Sequence, residues 1–255
     1  MKIQYCSDLH LEFPDNYDYL KKHPLKPIGD ILVIAGDFYL LSNHTAAIKD
    51  FISYASDNFQ EVYWLPGNHE YYHSDISKYP SSFLEKINSN FFLINNKVVS
   101  KENADIIFST LWSEIPLHDQ WYISKHVSDF LVIKNKKKKF SPDDFNKLHT
   151  ECLNFIKAQA SLKNEKQKVV VTHHVPTKKN YPDEYRGSKL NTAFCTELHD
   201  FIETSEIDSW IFGHHHTNVE EFKIGKTKLL TNQLGYVHYG EHREFRLDAV
   251  LTLDI

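Results

Sequence analysis

Six short runs of aliphatic, β-branched and aromatic residues punctuate this chain, and five of them stop at residues able to bind metal or phosphate. The runs are 2–6, 31–35, 61–65, 105–108, 168–171 and 209–212. The first is followed by Asp8-Leu9-His10, the second by Gly36-Asp37 and the third by Gly67-Asn68-His69-Glu70. The fifth is followed by Thr172-His173-His174 and the sixth by Gly213-His214-His215-His216. Near-continuous apolar runs of this length suit strands covered on both faces. Helix-like segments lie between them. Residues 44–58 place Ile48, Phe51, Ile52 and Ala55 on one stripe, and 142–161 do the same with Phe145, Leu148, Cys152, Phe155, Ile156 and Ala160. Ser141, Pro142 and Asp144 read as an N-cap with proline in the first turn. Residues 191–204 offer a third helix through Phe194, Leu198, Phe201 and Ile202. The tail differs: 219–224, 228–230 and 245–253 read as strands joined by turns. The pattern predicts an α/β fold with a β-rich tail.

Composition narrows the class. A chain of 255 residues with 14% aromatic residues and a net charge of -5 is not disordered. Its length allows one or two domains, and we expect a single domain over 1–255. Residues 112–141 show no clean period and are expected to form a lid or inserted loop near the active site. No apolar stretch approaches the ~18 residues of a membrane-spanning helix. The opening MKIQYCSDLH lacks an apolar leader, so a cytoplasmic location and no membrane association are expected. Cys6, Cys152 and Cys195 are sparse, odd in number and outside any CxxC pair, which argues for small buried residues rather than disulfides. An acidic balance argues against nucleic acid as a partner. The run Asn135–Lys139 reads as a solvated loop, or as a basic rim for an anionic substrate. Oligomeric state leaves no readable mark.

In a mostly parallel sheet the carboxyl ends of the strands share one edge, where ligands bind. The five polar clusters are therefore expected to converge. Their Asp, Asn and His side chains suit zinc, iron or manganese better than calcium. Without thiolates they do not make a cysteine-type structural zinc site. Asp8 and His10, and likewise His214 and His216, sit two apart, so on an extended chain each pair points one way. The preceding glycines, Gly36, Gly67 and Gly213, are expected to permit tight turns. Any one cluster reads as an ordinary loop; the ordered set does not.

The set resembles that of the calcineurin-like metallophosphoesterase family, whose ordered pattern is DxH, GD, GNH[DE], H and GHxH. All five blocks are present between residues 8 and 216. The resemblance implies a four-layer α-β-β-α sandwich with two divalent metal ions (Mn, Fe or Zn) at one edge. It places Asp8, His10 and His216 on the first metal, Asp37 on both, and Asn68, His173 and His214 on the second. His69 would face the scissile phosphate. The stretches 7–13 (SDLHLEF), 110–112 (TLW) and 185–188 (YRGS) are similar to an uncharacterised bacterial subgroup of phosphoesterases. Leu131 and Leu234 stand where that similarity leads one to expect arginines, which implies different phosphate anchoring or a different substrate.

The implied reaction is hydrolysis of phosphate mono- or diesters. A metal-bridging hydroxide attacks phosphorus, Asn68 helps hold the phosphoryl oxygens, and His69 is the general acid. Arg186 is a candidate phosphate contact, because guanidinium pairs bidentately with such groups. Glu70 is a candidate to orient a ligand histidine. His174 is expected behind the ligands or facing substrate, His215 pointing away, and Tyr71, Tyr72 and His73 in the pocket wall or the core. The expected partner is a small-molecule phosphate ester. The alternatives are a catalytically inactive binding or scaffold protein on the same fold, and a metallohydrolase of other esters or amides.

Overall fold

The computed structural model describes residues 1–253 other than His44. Two six-stranded sheets form its centre. The first is built from β1 (Lys2–Cys6), β2 (Ile31–Ala35), β3 (Glu61–Leu65), β4 (Phe83–Lys86), β5 (Phe91–Asn95) and, at the far end of the chain, the strand Val250–Thr252. The second contains β6 (Lys97–Ser100), β7 (Ala104–Ser109) and four later strands. Between these come β8 (Lys134–Asn135) and β9 (Lys138–Lys139), a small hairpin. The later strands are β10 (Gln167–Thr172), β11 (Ser209–Phe212), β12 (Phe222–Ile224) and β13 (Thr227–Thr231), and Val250–Thr252 is β14. The first sheet runs β14-β1-β2-β3-β5-β4 and the second β12-β13-β11-β10-β7-β6. In each, four parallel inner strands are flanked by an antiparallel strand at either edge.

Alternation of side chains along each strand assembles the layers. Val33, Tyr63, Phe108, Val169, Val171 and Ile211 meet in the core between the sheets. Their neighbours Ile34, Trp64, Val170 and Trp210 point outward. The outer face of the first sheet packs on α1 (Pro14–Lys22) and α2 (Ala46–Asn58) through Leu20, Ile48 and Ala55. Helix α3 (Leu117–His126), α4 (Asp129–Val132) and the β8–β9 hairpin occupy residues 112–141 and share a cluster built on Trp112, Phe130 and Phe145. The outer face of the second sheet packs on α5 (Pro142–Ala160) and, beyond α6 (Asn191–Phe194), on α7 (His199–Thr204), through Ile156, Ala160 and Ile202. The expected four-layer α-β-β-α sandwich is present. No helix among the described residues is long and apolar enough to cross a membrane.

All six predicted strands form. Ser141 caps α5 through a capping box with Asp144, as its spacing predicts. The helix expected over 191–204 is instead broken into α6 and α7, because Cys195 pairs with Val175. The amide of Val175 donates to Phe194 O and that of Thr196 to Val175 O, diverting the backbone from helical bonding. The predicted tail strands shorten to β12, β13 and β14, with short 3-10 turns over 237–244. His44, the first residue of the helix predicted over 44–58, lies outside the described residues. The three cysteines are free and buried.

Candidate metal centre

The carboxyl ends of β1, β2 and β3 in one sheet and of β10 and β11 in the other lie at a common edge, and the polar clusters meet there. Asp8, His10, Asp37 and His216 each offer a ligand atom, all within 4.8 Å of one another; Asp37, His173 and His214 form a second such group. Asp37 belongs to both. Its Oδ2 lies 3.8 Å from His10 Nε2, and its Oδ1 lies 3.3 Å from His173 Nε2. His216 Nε2 is 3.4 Å from Asp8 Oδ1. Asn68 Oδ1 is 3.1 Å from His173 Nε2, so the seventh expected ligand joins the second group.

The convergence has a different backbone cause from the extended-chain alternation expected. Asp8, His10, Asp37, His214 and His216 have φ of 54°, 46°, 51°, 84° and 56°. Non-glycine residues in that left-handed region carry strain of about 1–3 kcal/mol each and persist only where their surroundings hold them. Here adjoining loops do so: Asp8 N donates to Gly36 O at 3.0 Å, His10 N to Asp37 O at 2.9 Å, and His214 N to Asp8 Oδ1 at 3.1 Å. Of the three glycines, Gly36 alone serves a turn, at φ 91°. Gly67 and Gly213 are required by close approach. A Cβ on Gly67 would lie 2.2 Å from Asp37 Oδ1, and one on Gly213 2.5 Å from Asp8 Oδ2.

Protonation follows from the partners behind the ligands. His10 Nδ1 faces Glu12 Oε1 at 3.2 Å, His216 Nδ1 faces Glu241 Oε2 at 2.8 Å, and His173 Nδ1 faces the Ala35 carbonyl at 3.0 Å. An acceptor at Nδ1 makes that nitrogen the donor and leaves Nε2 its lone pair for a metal. Burial would raise the pKa of Glu12, but its hydrogen bonds to His10 and His69 hold it down at about 2. Asp37 is likewise held well below the usual carboxylate range, by His173 and His69, against its burial. Two pairs of ring nitrogens, His10 with His216 and His173 with His214, face each other at 3.0 Å beside these carboxylates. His214 Nε2 is buried without a hydrogen-bond partner. Lone pairs and carboxylates crowded in this way fit divalent cations.

A family model described as calcineurin-like phosphoesterase matches residues 1–218. The chain belongs to the calcineurin-like phosphoesterase family. Uncharacterized protein L509 of Acanthamoeba polyphaga mimivirus is similar at 32% identity over 281 residues, 99% of this chain and 96% of that protein. Among solved structures, Phosphopantetheinyl Hydrolase (PptH) from Mycobacterium tuberculosis is similar in fold, with a TM-score of 0.71 at 16% identity over 99% of this chain and 96% of that one.

A cavity of about 700 Å³ opens on Asp37, Asn68, His69, His214 and His216 of this phosphoesterase. His69 stands apart from the two ligand groups. Its Nδ1 faces Glu12 Oε1 at 2.9 Å, its ring stacks on Tyr72 at 4.1 Å, and its Nε2 lies 3.4 Å from the Tyr236 hydroxyl. Burial pulls the His69 pKa down, and the charges of Asp37 and Glu12 outweigh it, leaving it raised. His10, Glu12 and His69 also lie within 4.8 Å of one another, which the two hydrogen bonds to Glu12 explain.

Other candidates sit differently from expectation. Both hydrogens of the Asn68 amide have partners, Asp129 Oδ1 at 2.8 Å and the Tyr72 hydroxyl at 3.2 Å. A carboxylate can only accept, so Asn68 presents its oxygen toward His173 and keeps no N–H for substrate. Glu70 touches no ligand histidine. It accepts from the amides of Asp37, Phe38 and Gly67 and from Trp64 Nε1, tying two ligand loops together. Arg186 is exposed and paired with Asp183 at 2.8 Å, and it is not brought to the cavity. Leu131 is exposed, Leu234 is fully buried, and neither lines the cavity. His174 is buried against Trp112 and His214, and its burial pushes its pKa well down. His215 turns from the ligands and accepts from Gln233 Nε2 and Thr217 N through Nδ1. Tyr71 is core; Tyr72 and His73 line the cavity.

Sequence reasoning missed Glu12, Asp129, Tyr236 and Glu241 as parts of the site. Glu12 carried a signal, lying two residues beyond His10. Asp129 and Glu241 arrive from segments with no period or motif.

Proposed function

We propose that residues 1–255 act as one hydrolase of phosphate mono- or diesters that works with two divalent ions of manganese, iron or zinc. The observation that carries this reading is Asp37, whose two oxygens face separate histidine groups. Asp8, His10, Asp37 and His216 would hold one ion, and Asp37, Asn68, His173 and His214 the other. Bound there, the ions supply neutralisation of phosphoryl charge and a water acidic enough to be a nucleophile near neutral pH. His69 does the remaining proton work. Glu12 fixes its Nδ1 as a donor, and its Nε2 faces the cavity, placed to give a proton to the leaving oxygen. The cavity volume suits a small-molecule ester.

The test is metal analysis combined with turnover of p-nitrophenyl phosphate and bis-p-nitrophenyl phosphate, the protein being loaded in turn with Mn²⁺, Fe²⁺ and Zn²⁺. Asp37→Ala is expected to lose bound metal and turnover together. A variant that keeps its full metal content and a near-parental rate would defeat the shared-ligand reading. Full metal loading with no hydrolysis of either ester would favour a binding protein on this fold.

A further inference from the structure

The cavity beside the ligands has a one-sided chemistry. Its wall includes Phe13, Tyr181, Tyr185, Leu190, Phe194 and Tyr236. The rings form two pairs there: Phe13 meets Tyr236 edge-on at 5.3 Å, and Tyr181 lies 6.2 Å from Tyr185. Among the described residues, no lysine or arginine lines it; away from the ligand groups it includes Glu12, Asp129 and Glu241, whose carboxyl groups are engaged with His10, His69, Asn68, Tyr72 and His216, and the histidines His73 and His126. The nearby basic candidates point elsewhere. Arg186 is engaged with Asp183, Lys189 Nζ lies over the Tyr122 ring at 5.6 Å, and the Lys136–Lys139 run folds into the β8–β9 hairpin.

Charge bookkeeping then restricts what can sit there. Cations held by the aspartate and histidine groups would neutralise one phosphoryl group beside them. A second phosphate further into the cavity would find no lysine or arginine on its described wall to offset its charge, and would add to the negative charge of Glu12, Asp129 and Glu241 in a partly enclosed, low-dielectric space. Aromatic walls of this kind gain instead by covering uncharged rings or apolar chains.

We propose, resting on the phosphoesterase reading above, that the substrate carries a single phosphoryl group and an uncharged, ring-bearing or apolar arm. That arm lies against the Phe13, Tyr185 and Tyr236 wall. Nucleoside polyphosphates and nucleic-acid strands, which bring further phosphates, are poor substrates.

The experiment uses the full chain loaded with Mn²⁺ and esters that share the p-nitrophenolate leaving group. One pair is p-nitrophenyl thymidine 5′-phosphate and the same compound bearing an added 3′-phosphate. The other pair is p-nitrophenyl phenyl phosphate and p-nitrophenyl methyl phosphate. Within each pair kcat/KM is expected to favour the first member by about 10-fold or more, the scale on which a pocket discriminates by one group. Leu190→Lys, which adds a cation to the wall, is expected to narrow the first gap. Tyr185→Ala is expected to shrink the phenyl-to-methyl ratio. Equal or faster hydrolysis of the 3′-phosphorylated ester overturns the proposal, as does a phenyl-to-methyl ratio unmoved by Tyr185→Ala. Release of nitrophenolate from every ester without discrimination removes the substrate class and leaves the hydrolase standing. No release from any ester, p-nitrophenyl phosphate included, with Mn²⁺ bound, removes both.

Discussion

His69 illustrates how a side chain among ligands keeps a separate task. It shares Glu12 with His10, yet its free nitrogen faces the cavity and the Tyr236 hydroxyl rather than Asp37. His69→Asn is expected to bind metal as the parent does while losing about 10²–10⁴-fold in rate. The loss should be larger for alkyl phosphates than for p-nitrophenyl phosphate, whose leaving group needs no proton. Equal losses across leaving groups would remove the acid role. Asp129 is the second case. Its carboxyl, buried within 112–141, takes an Asn68 amide hydrogen and the Tyr72 hydroxyl hydrogen, both at 2.8 Å. Asp129→Leu frees the amide to rotate and is expected to weaken Mn²⁺ binding by roughly 10–100-fold, the usual effect of losing such a partner. Asp129→Asn, which keeps an acceptor oxygen, should fall between. Calorimetric titration reads this directly, and parental affinity in Asp129→Leu would show that Asn68 is held by other contacts. The candidate ligands were legible because each lies just beyond the end of a readable strand. Asp129 was not, because nothing near it in sequence says that it reaches Asn68.

Among the elements, strands buried on both faces were the readable ones. Their apolar runs carry no competing interpretation once length and flanking glycines are weighed. Of the unread strands, inner β5 has four buried residues but no metal-binding or phosphate-binding motif after it. Two others lie at sheet edges: β4 buries only Phe83 and β6 buries no residue, so neither shows an apolar period. Helix α1 escaped for a related reason, since only Asn16 and Leu20 are buried on it. The β8–β9 hairpin turns through Lys136 and Lys137 at φ 50° and 66°, unusual for lysine. Asp75 holds that turn, accepting from the amides of Lys136 at 3.0 Å and Lys137 at 2.6 Å. The Ser77 hydroxyl and these amides keep the Asp75 pKa down at about 2. A carboxyl whose folded pKa is depressed stabilises its surroundings above its ordinary range and ceases to do so as pH falls through the folded value. The amide resonances of Lys136 and Lys137 are therefore expected to stay fixed down to about pH 4 and to shift as pH approaches 2. Asp75→Ala should show the shifted positions at neutral pH. Amides that titrate with an ordinary carboxylate midpoint would show that Asp75 does not clamp the turn.

For the molecule as a whole, the decisive contact is between the sheets, because the candidate site draws ligands from both. Phe108 is fully buried in that interface, 5.4 Å from Tyr63 across the gap. Phe108→Ala is expected to cost about 3–5 kcal/mol of unfolding free energy, measured by urea denaturation. A change below about 1 kcal/mol would show that the interface relaxes around the loss. Sequence by itself determined six of the core strands, the polar residues that follow five of them and the donor types, because strand periodicity and ligand chemistry are local properties. Tertiary structure alone decided the rest. Whether five strand ends share an edge depends on how two sheets stack, the left-handed turns at Asp8, Asp37 and His214 exist only because neighbouring loops hold them, and the carboxyl groups of Asp129 and Glu241 reach the ligands across distances that no local pattern records.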